Sequence, residues 1–163
     1  MANTNKQKER RDRGEDFQDE MRRSWALVPN SWRLRITDAG AGTRPADEVV
    51  LLKSCNILAE HKRTAGDKFE LSFLRPPQIR GLLDFECVLQ HNKGLVFVSF
   101  LNADTDRTLV FRLVDALRFM KREGKNHIKL GDFGSLFTQF VEIPLMEAEK
   151  RTYYLQPVVD YCK

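Results

Sequence analysis

The chain of 163 residues has no apolar run long enough to cross a bilayer, and its cysteines and histidines do not have the spacing of a zinc site. Its longest apolar runs, such as residues 95–98, fall far short of the roughly 20 residues that a membrane helix needs. The three cysteines, Cys55, Cys87 and Cys162, are widely separated and are expected to be reduced. Residues 1–8 are polar and lack the apolar core of a signal peptide. These absences predict a soluble protein of the cytoplasm with no membrane partner.

The charge is nearly balanced, with a small surplus of base. The sequence has 27 lysine and arginine residues against 23 aspartate and glutamate residues, so its formal net charge is +4. With 42% hydrophobic residues the chain is not a disordered tail. A domain of this length removes about two-thirds of its unfolded surface from water. A net charge of +4 permits a nucleic-acid partner without requiring one.

The pattern indicates a flexible basic arm at residues 1–11 followed by a single domain at residues 12–163. Phe17, Met21 and Trp25 recur every four residues and predict an amphipathic helix that begins at about residue 13. Further along, strands are predicted at residues 32–36, 49–52, 56–62, 94–101 and 108–113, and helices at residues 76–90 and 114–121.

The order of these elements predicts an α/β fold with a mixed central β-sheet flanked by helices. Residues 38–45 (DAGAGTRP) are rich in glycine and are expected to form a loop. Residues 153–158, near the end of the chain, are expected to form short extended pieces and turns.

The sharpest feature is a charged pair at the end of an apolar strand. Residues 56–59 (NILA) lead directly into Glu60, and Lys62 shares its face of the strand while His61 points away. Asp47 can bring a second carboxylate to the same place. Two carboxylates can hold Mg²⁺ or Mn²⁺, and a nearby lysine can orient or deprotonate a water. The combination predicts metal-assisted hydrolysis of a phosphodiester.

Each of these residues also has a simpler interpretation. A Glu-x-Lys pair on a strand is more often a surface ion pair, although charges that end an apolar strand are costly unless they are paired or bound to a metal. Glu20 lies at the margin of the helix stripe and can join the site, or it can interact with Arg23 or Ser24 on its own helix. Gln78 can support the site, or it can be an ordinary polar residue in the first turn of a helix.

In this order and spacing the residues resemble the PD-(D/E)xK nuclease superfamily, and more narrowly the RecU-type Holliday-junction resolvases of bacteria and phages. The resemblance runs over most of the chain. It rests on RGEDFQDEM at residues 13–21, PAD at residues 45–47, ILAEHKRT at residues 57–64, Gln78, GLVFV at residues 94–98, VEIPL at residues 141–145 and QPVVDY at residues 156–161.

The resemblance implies a restriction-endonuclease-like core and a homodimer that binds four-way DNA junctions and makes paired nicks with Mg²⁺ or Mn²⁺. It implies that Lys62 is the catalytic lysine and that Gln78 supports the site or the DNA. The metal ligands that it implies are Glu20, Asp47, Glu60 and the backbone carbonyl of His61.

The chain departs from the family pattern in two places. Ala46 stands where the family usually has a threonine before the aspartate. Residues 38–46 are also too few to form the long stalk that the family projects from this position. Because that stalk is thought to enter the junction centre, two alternatives stay open. One is another PD-(D/E)xK nuclease that processes flaps or ends, and the other is a non-catalytic DNA-binding module of the same fold.

Basic residues are expected to contact DNA phosphates, which would position the DNA without reading its sequence and would make binding dependent on salt. Neighbouring acids dilute the field of the arm, so solvated charges are an equally good interpretation. The candidates are Lys6, Lys8, Arg10, Arg11 and Arg13 in and beside the arm, and Arg33, Arg35 and Arg44 near the site.

Overall fold

The computed structural model describes the backbone of residues 2–37 and 43–163, and the side chains of residues 14–37 and 43–163. Part of the predicted glycine-rich loop, residues 38–42, lies outside this range. The basic side chains predicted in and beside the arm also lie outside the described side chains, namely Lys6, Lys8, Arg10, Arg11 and Arg13.

The described chain folds into α-helices and β-strands, with four successive strands between the first two α-helices. The helices are α1 (Ala2–Trp25), α2 (Pro76–Val88), α3 (Leu113–Glu123) and α4 (Gln156–Tyr161). The strands are β1 (Trp32–Arg35), β2 (Glu48–Leu51), β3 (Asn56–Thr64), β4 (Lys68–Glu70), β5 (Asn92–Leu101), β6 (Asp106–Arg112), β7 (His127–Lys129) and β8 (Val141–Glu142).

A six-stranded mixed sheet in the order β1-β2-β3-β5-β6-β8 forms the centre of the fold. Neighbouring strands are antiparallel except for β3 and β5, which are parallel. A parallel pair needs a crossover connection, and α2 lies in that connection. Strands β4 and β7 form a separate two-stranded sheet. This architecture confirms the predicted α/β fold with a mixed central sheet.

Apolar side chains cover both faces of the central sheet. Phe17, Met21 and Trp25 on α1 are buried against one face, so the predicted stripe is the buried face of that helix. Helices α2 and α3 pack on the opposite face with Leu82 and Phe119. Strand β5 is buried along almost its whole length, as its continuous apolar run predicts for a strand covered on both sides.

The first helix is longer than its apolar stripe predicts. It begins at Ala2 rather than near residue 13, so the backbone of the segment predicted to be an arm is helical. Residues 2–12 contain no glycine or proline and are rich in lysine, glutamine, glutamate and arginine, which are good helix formers. The division into a flexible basic arm at residues 1–11 and a single domain at residues 12–163 stays a prediction.

The prediction of short extended pieces and turns at residues 153–158 is wrong for residues 156–158, which are helical. Tyr153 forms only an isolated bridge with Leu145, and the short helix α4 begins at Gln156. Pro157 stands in the first turn of that helix, where a missing N–H removes no intrahelical hydrogen bond. The β-branched pair Val158 and Val159 favours a strand locally, but burial of Val158 in the core below α1 stabilises the helix instead.

Within residues 2–37 and 43–163, no helix is long and apolar enough to cross a membrane.

Close packing between β5 and α2 gives a test of the fold. A Cβ added at Gly94 would lie 2.5 Å from the carbonyl oxygen of Leu82, and backbone atoms cannot move aside as a flexible side chain would. We expect Gly94→Ala to lower the free energy of unfolding by about 1–3 kcal/mol in urea denaturation. Gly131→Ala is the control, because a Cβ there meets no atom within 4 Å. Equal stability of the two variants would contradict this packing.

Candidate active site

A polar cleft of about 330 Å³ lies where β2, β3 and α1 meet. Asp47, Glu60, His61 and Lys62 line it, as do Arg35 and Arg44. Asp47 immediately precedes β2, Glu60 lies in the middle of β3, and Lys62 lies in the second half of that strand. The antiparallel pairing of the two strands ends at Glu48 and Ala59, so the residues beyond that point are free to face the cleft.

Glu60 and Lys62 form an ion pair, with Lys62 Nζ 2.6 Å from Glu60 Oε1. Gln78 Nε2 donates a hydrogen bond to the same carboxylate oxygen. Gln78 is itself fixed, because its Oε1 accepts the backbone N–H of Arg75 at 2.9 Å and so caps α2. The other oxygen, Glu60 Oε2, is buried and has no hydrogen-bond partner among the described residues.

Asp47 is almost fully buried, and both of its carboxylate oxygens accept hydrogen bonds. Oδ2 accepts the backbone N–H of His61 at 2.8 Å. Oδ1 accepts hydrogen bonds from Gln18 Nε2 at 3.0 Å and from Arg44 Nη2. Burial alone would raise the pKa of Asp47. The hydrogen bonds and charge of His61, together with the charge of Arg44, outweigh burial and hold that pKa below its ordinary value.

The two carboxylates of the cleft oppose each other electrostatically. Burial raises the pKa of Glu60, and the negative charge of Asp47 raises it further, while Lys62 opposes both effects. A cation between the carboxylates would relieve this repulsion. The backbone carbonyl of His61 is available on the same side, because the N–H and C=O of one strand residue point the same way and the N–H already reaches Asp47.

These donors fit a hard divalent cation. Mg²⁺ is commonly held by one or two carboxylates and keeps several waters, and the unpartnered oxygen of Glu60 supplies a buried ligand atom. Asp47, Glu60 and the carbonyl of His61 would therefore hold the ion. In the described part of the chain, no group of three or more His, Cys, Asp or Glu side chains is arranged to hold a metal. Carboxylate and carbonyl oxygens suit Mg²⁺ or Mn²⁺, whose remaining coordination positions are filled by water.

Glu20, the further ligand that the resemblance implies, does not line the cleft. Its carboxylate is bound by the guanidinium of Arg63, with Nη1 3.0 Å from Oε1, and it accepts the hydroxyl of Tyr153 at 3.2 Å. Arg63 itself lines the cleft, so this ion pair adjoins the cleft although Glu20 is not in its lining. The structure brings Asp47, Glu60, Lys62 and Gln78 together and pairs Glu20 with Arg63.

Gln18 on α1 reaches the cleft instead. It donates to Asp47 through Nε2 and accepts a hydrogen bond from Arg35 Nη2 at 3.2 Å through Oε1. This residue was not predicted from the sequence. It directly follows Phe17 of the buried stripe, so its position at the edge of that stripe was a signal that could have revealed it.

Glu48 is a second residue near the cleft that was not predicted from the sequence. The ring of His61 lies between two carboxylates, with Nδ1 3.4 Å from Asp47 Oδ2 and Nε2 3.1 Å from Glu48 Oε1. Neither contact has the direction of a good hydrogen bond, so the attraction is chiefly electrostatic. Glu48 is fully buried and also binds Arg33, which was predicted to contact DNA. Adjacent acids at the start of an apolar strand were the available signal.

The charges around His61 shift its titration. Burial alone would lower the pKa of His61, but the charge of Glu48 and the interaction with Asp47 raise it to about 9. The same ion pairs act in the opposite direction on Glu48, whose pKa lies below its ordinary value in spite of burial. The imidazole is therefore a buried cation at neutral pH, packed edge-on to Phe17 with ring centroids 5.7 Å apart.

No family model matches the chain, and no curated protein matches its sequence. Among solved structures, the chain is similar to Hjc, a Holliday junction resolvase from the archaeal hyperthermophile Archaeoglobus fulgidus. The TM-score is 0.47 and the sequences are 17% identical, over 77% of this chain and 89% of that one. At this level the comparison assigns no activity to the chain.

The raised pKa of His61 predicts that the free energy of unfolding falls as the pH becomes alkaline. A group whose pKa is raised by folding stabilises the protein fully below its unfolded value of 6.5, and that contribution is lost as the pH rises through about 9. We expect the free energy of unfolding, measured by urea denaturation with EDTA, to fall between these pH values. His61→Gln should lack this loss, whereas His91→Gln, at an exposed histidine, should keep it. The same slope in all three proteins would contradict the assignment.

The ion pair of Glu20 predicts a structural cost that does not depend on metal. Removing one partner of a buried ion pair costs about 3 kcal/mol or more, because the other charge stays buried without compensation. Glu20→Gln should therefore lower the free energy of unfolding in EDTA by that amount. Asp19→Asn removes an exposed pair with Arg22 on the same helix and should cost less than about 1 kcal/mol. A Glu20→Gln protein as stable as the wild type in EDTA would leave Glu20 without this structural role.

Proposed function

We propose that this chain is a metal-dependent endodeoxyribonuclease that resolves four-way (Holliday) junctions by paired nicks. One observation carries the proposal. Asp47, Glu60 and Lys62 line one polar cleft, and the buried Glu60 has a carboxylate oxygen without a partner among the described residues. A carboxylate pair with an adjacent lysine is the donor set that the resemblance to RecU-type resolvases requires.

The residues of the cleft have distinct roles in this proposal. A divalent ion, when bound, supplies Lewis-acid chemistry and a more acidic water. Lys62 Nζ, held beside Glu60 at 2.6 Å, would orient the attacking water and balance charge on the phosphate. Gln78 would hold Glu60 Oε1 in place, which leaves Oε2 directed to the ion. His61 would position Asp47 through its backbone N–H.

DNA would approach along the basic rim of the cleft. Arg35 and Arg44 line it, and their guanidinium groups suit phosphate oxygens. Arg33 is held by Glu48, so its contribution would be to the local field rather than to a direct contact. The basic residues in and beside the arm remain candidates for further phosphate contacts. Paired nicks require two sites, so we propose a homodimer acting in the cytoplasm of a bacterium or of a phage-infected host.

Two alternatives rest on specific observations. The short connection at residues 38–46 leaves little chain for a junction-probing stalk, which favours a nuclease that acts on flaps or ends. The described residues contain no group of three or more His, Cys, Asp or Glu side chains arranged for a metal, which favours a non-catalytic DNA-binding module. Cleavage of a four-way junction, a flap and a linear duplex distinguishes these two alternatives from the proposed resolvase.

The test compares a labelled four-way junction, a flap and a linear duplex with Mg²⁺, Mn²⁺ or EDTA. We expect symmetric nicks near the crossover that require metal. Asp47→Asn, Glu60→Gln and Lys62→Gln should each reduce the cleavage rate by about 10²–10⁴-fold, because each removes a group that acts on the ion or the attacking water. Glu142→Gln is the matched control, since that glutamate forms an exposed pair with Arg107.

The outcomes discriminate between the proposals. Equal cutting of the linear duplex, or preferred cutting of the flap, would replace junction resolution with general or flap nuclease activity. Binding of the junction without metal-dependent cutting would leave the binding module. Cleavage that survives Asp47→Asn would overturn the assignment of this cleft.

A further inference from the structure

Arg44 forms an ion pair with Asp47, one of the two carboxylates proposed to hold the metal. Its Nη2 donates to Asp47 Oδ1, and the two side chains are only 18% and 3% exposed. Asp47 Oδ2 is already bound to the backbone of His61. By contrast, Lys62 and Gln78 both bind Glu60 Oε1 and leave Oε2 without a partner. Of the two carboxylates, Asp47 is therefore the one with both oxygens bound within the protein, and Arg44 is the cation bound to it.

Arg44 is poorly held by everything except Asp47. Its Nη1 reaches the backbone carbonyl of Ile36 only at 3.4 Å, and its Nε is buried without a hydrogen-bond partner among the described residues. A buried donor left unpaired costs about 1–3 kcal/mol. A phosphate group would offer this guanidinium two oxygens in a bidentate arrangement, which is a stronger pairing than its present one.

A divalent cation and the guanidinium cannot both lie against the same carboxylate without strong repulsion, because like charges at such distances in a buried site are poorly screened. Binding of the ion at Asp47 therefore requires Arg44 to leave. A DNA phosphate at the rim of the cleft would take Arg44 away from Asp47 and free the carboxylate.

We propose that Arg44 couples the two ligands: it competes with the divalent cation for Asp47 in the free protein and releases the site when it binds a DNA phosphate. The inference rests on the proposed function of the cleft. It makes the binding of metal and DNA mutually reinforcing, since coupling between two ligands is reciprocal. It also gives the site little affinity for metal when no DNA is present, which limits unproductive occupation.

Arg35 is a matched control for this role. It lines the same cleft and carries the same charge, but its hydrogen bond goes to the amide oxygen of Gln18 rather than to a carboxylate. Replacing Arg35 removes one positive charge from the cleft without unblocking Asp47. The comparison of the two positions therefore separates local competition from a general change of electrostatic field.

The experiment measures Mn²⁺ binding, by calorimetry and by the electron paramagnetic resonance signal of the free ion, for the wild type, Arg44→Gln and Arg35→Gln. Without DNA, Arg44→Gln should bind Mn²⁺ about tenfold more tightly than the wild type, and Arg35→Gln should not. A second series in a Lys62→Gln background adds a linear duplex, which stays intact there. The duplex should tighten Mn²⁺ binding when Arg44 is present and have little effect when it is replaced.

Mn²⁺ affinity that is unchanged or weaker in Arg44→Gln, in a protein whose urea denaturation shows it to be folded, would overturn the coupling. An equal gain in Arg35→Gln would overturn it too, since a general field effect would then suffice. Cleavage by the wild type combined with either result leaves the proposed function standing. Tighter Mn²⁺ binding by Arg44→Gln with no cleavage of any DNA would support the competition and remove the nuclease assignment.

Discussion

The hydrogen bond from the backbone N–H of His61 to the carboxylate of Asp47 joins β2 and β3 at the point where their pairing ends. Beyond Glu48 the two segments are joined by this side-chain bond and by the backbone bond from the N–H of Asp47 to the carbonyl of Ala59, and the cleft lies beside them. The carboxylate is held at the sheet edge, the next carbonyl of β3 faces the same way, and Glu60 and Lys62 project beside it. The charges collected there are stable only because each acid has a cation within reach, so the geometry and the electrostatics of the site have a single origin.

Much of this arrangement follows from local rules that the sequence displays. Alternation along a strand places Glu60 and Lys62 on one face, and the spacing of Phe17, Met21 and Trp25 defines the buried face of α1. Both expectations match the structure. The mixed sheet is likewise predictable, because a helix between two apolar strands supplies the crossover connection that a parallel pair needs.

Other features depend on contacts between distant segments, which no local pattern encodes. The pairing of Glu20 with Arg63 depends on how α1 is rotated against β3, and that rotation places Gln18 rather than Glu20 against Asp47. The burial of Val158 likewise turns a segment with strand-like composition into a helix. The sequence suffices where one element decides the geometry and fails where two elements must be docked.

The buried pair of Glu20 and Arg63 is completed by the hydroxyl of Tyr153, which is separated from Glu20 by 133 positions in the chain. A growing polypeptide therefore makes the acidic residue of its first helix long before it makes the tyrosine. Until then the carboxylate of Glu20 lacks this hydrogen bond, and contacts of such long range slow folding. The contact that completes the docking of α1 is thus made late in synthesis, on the same helix that supplies Gln18 to the cleft.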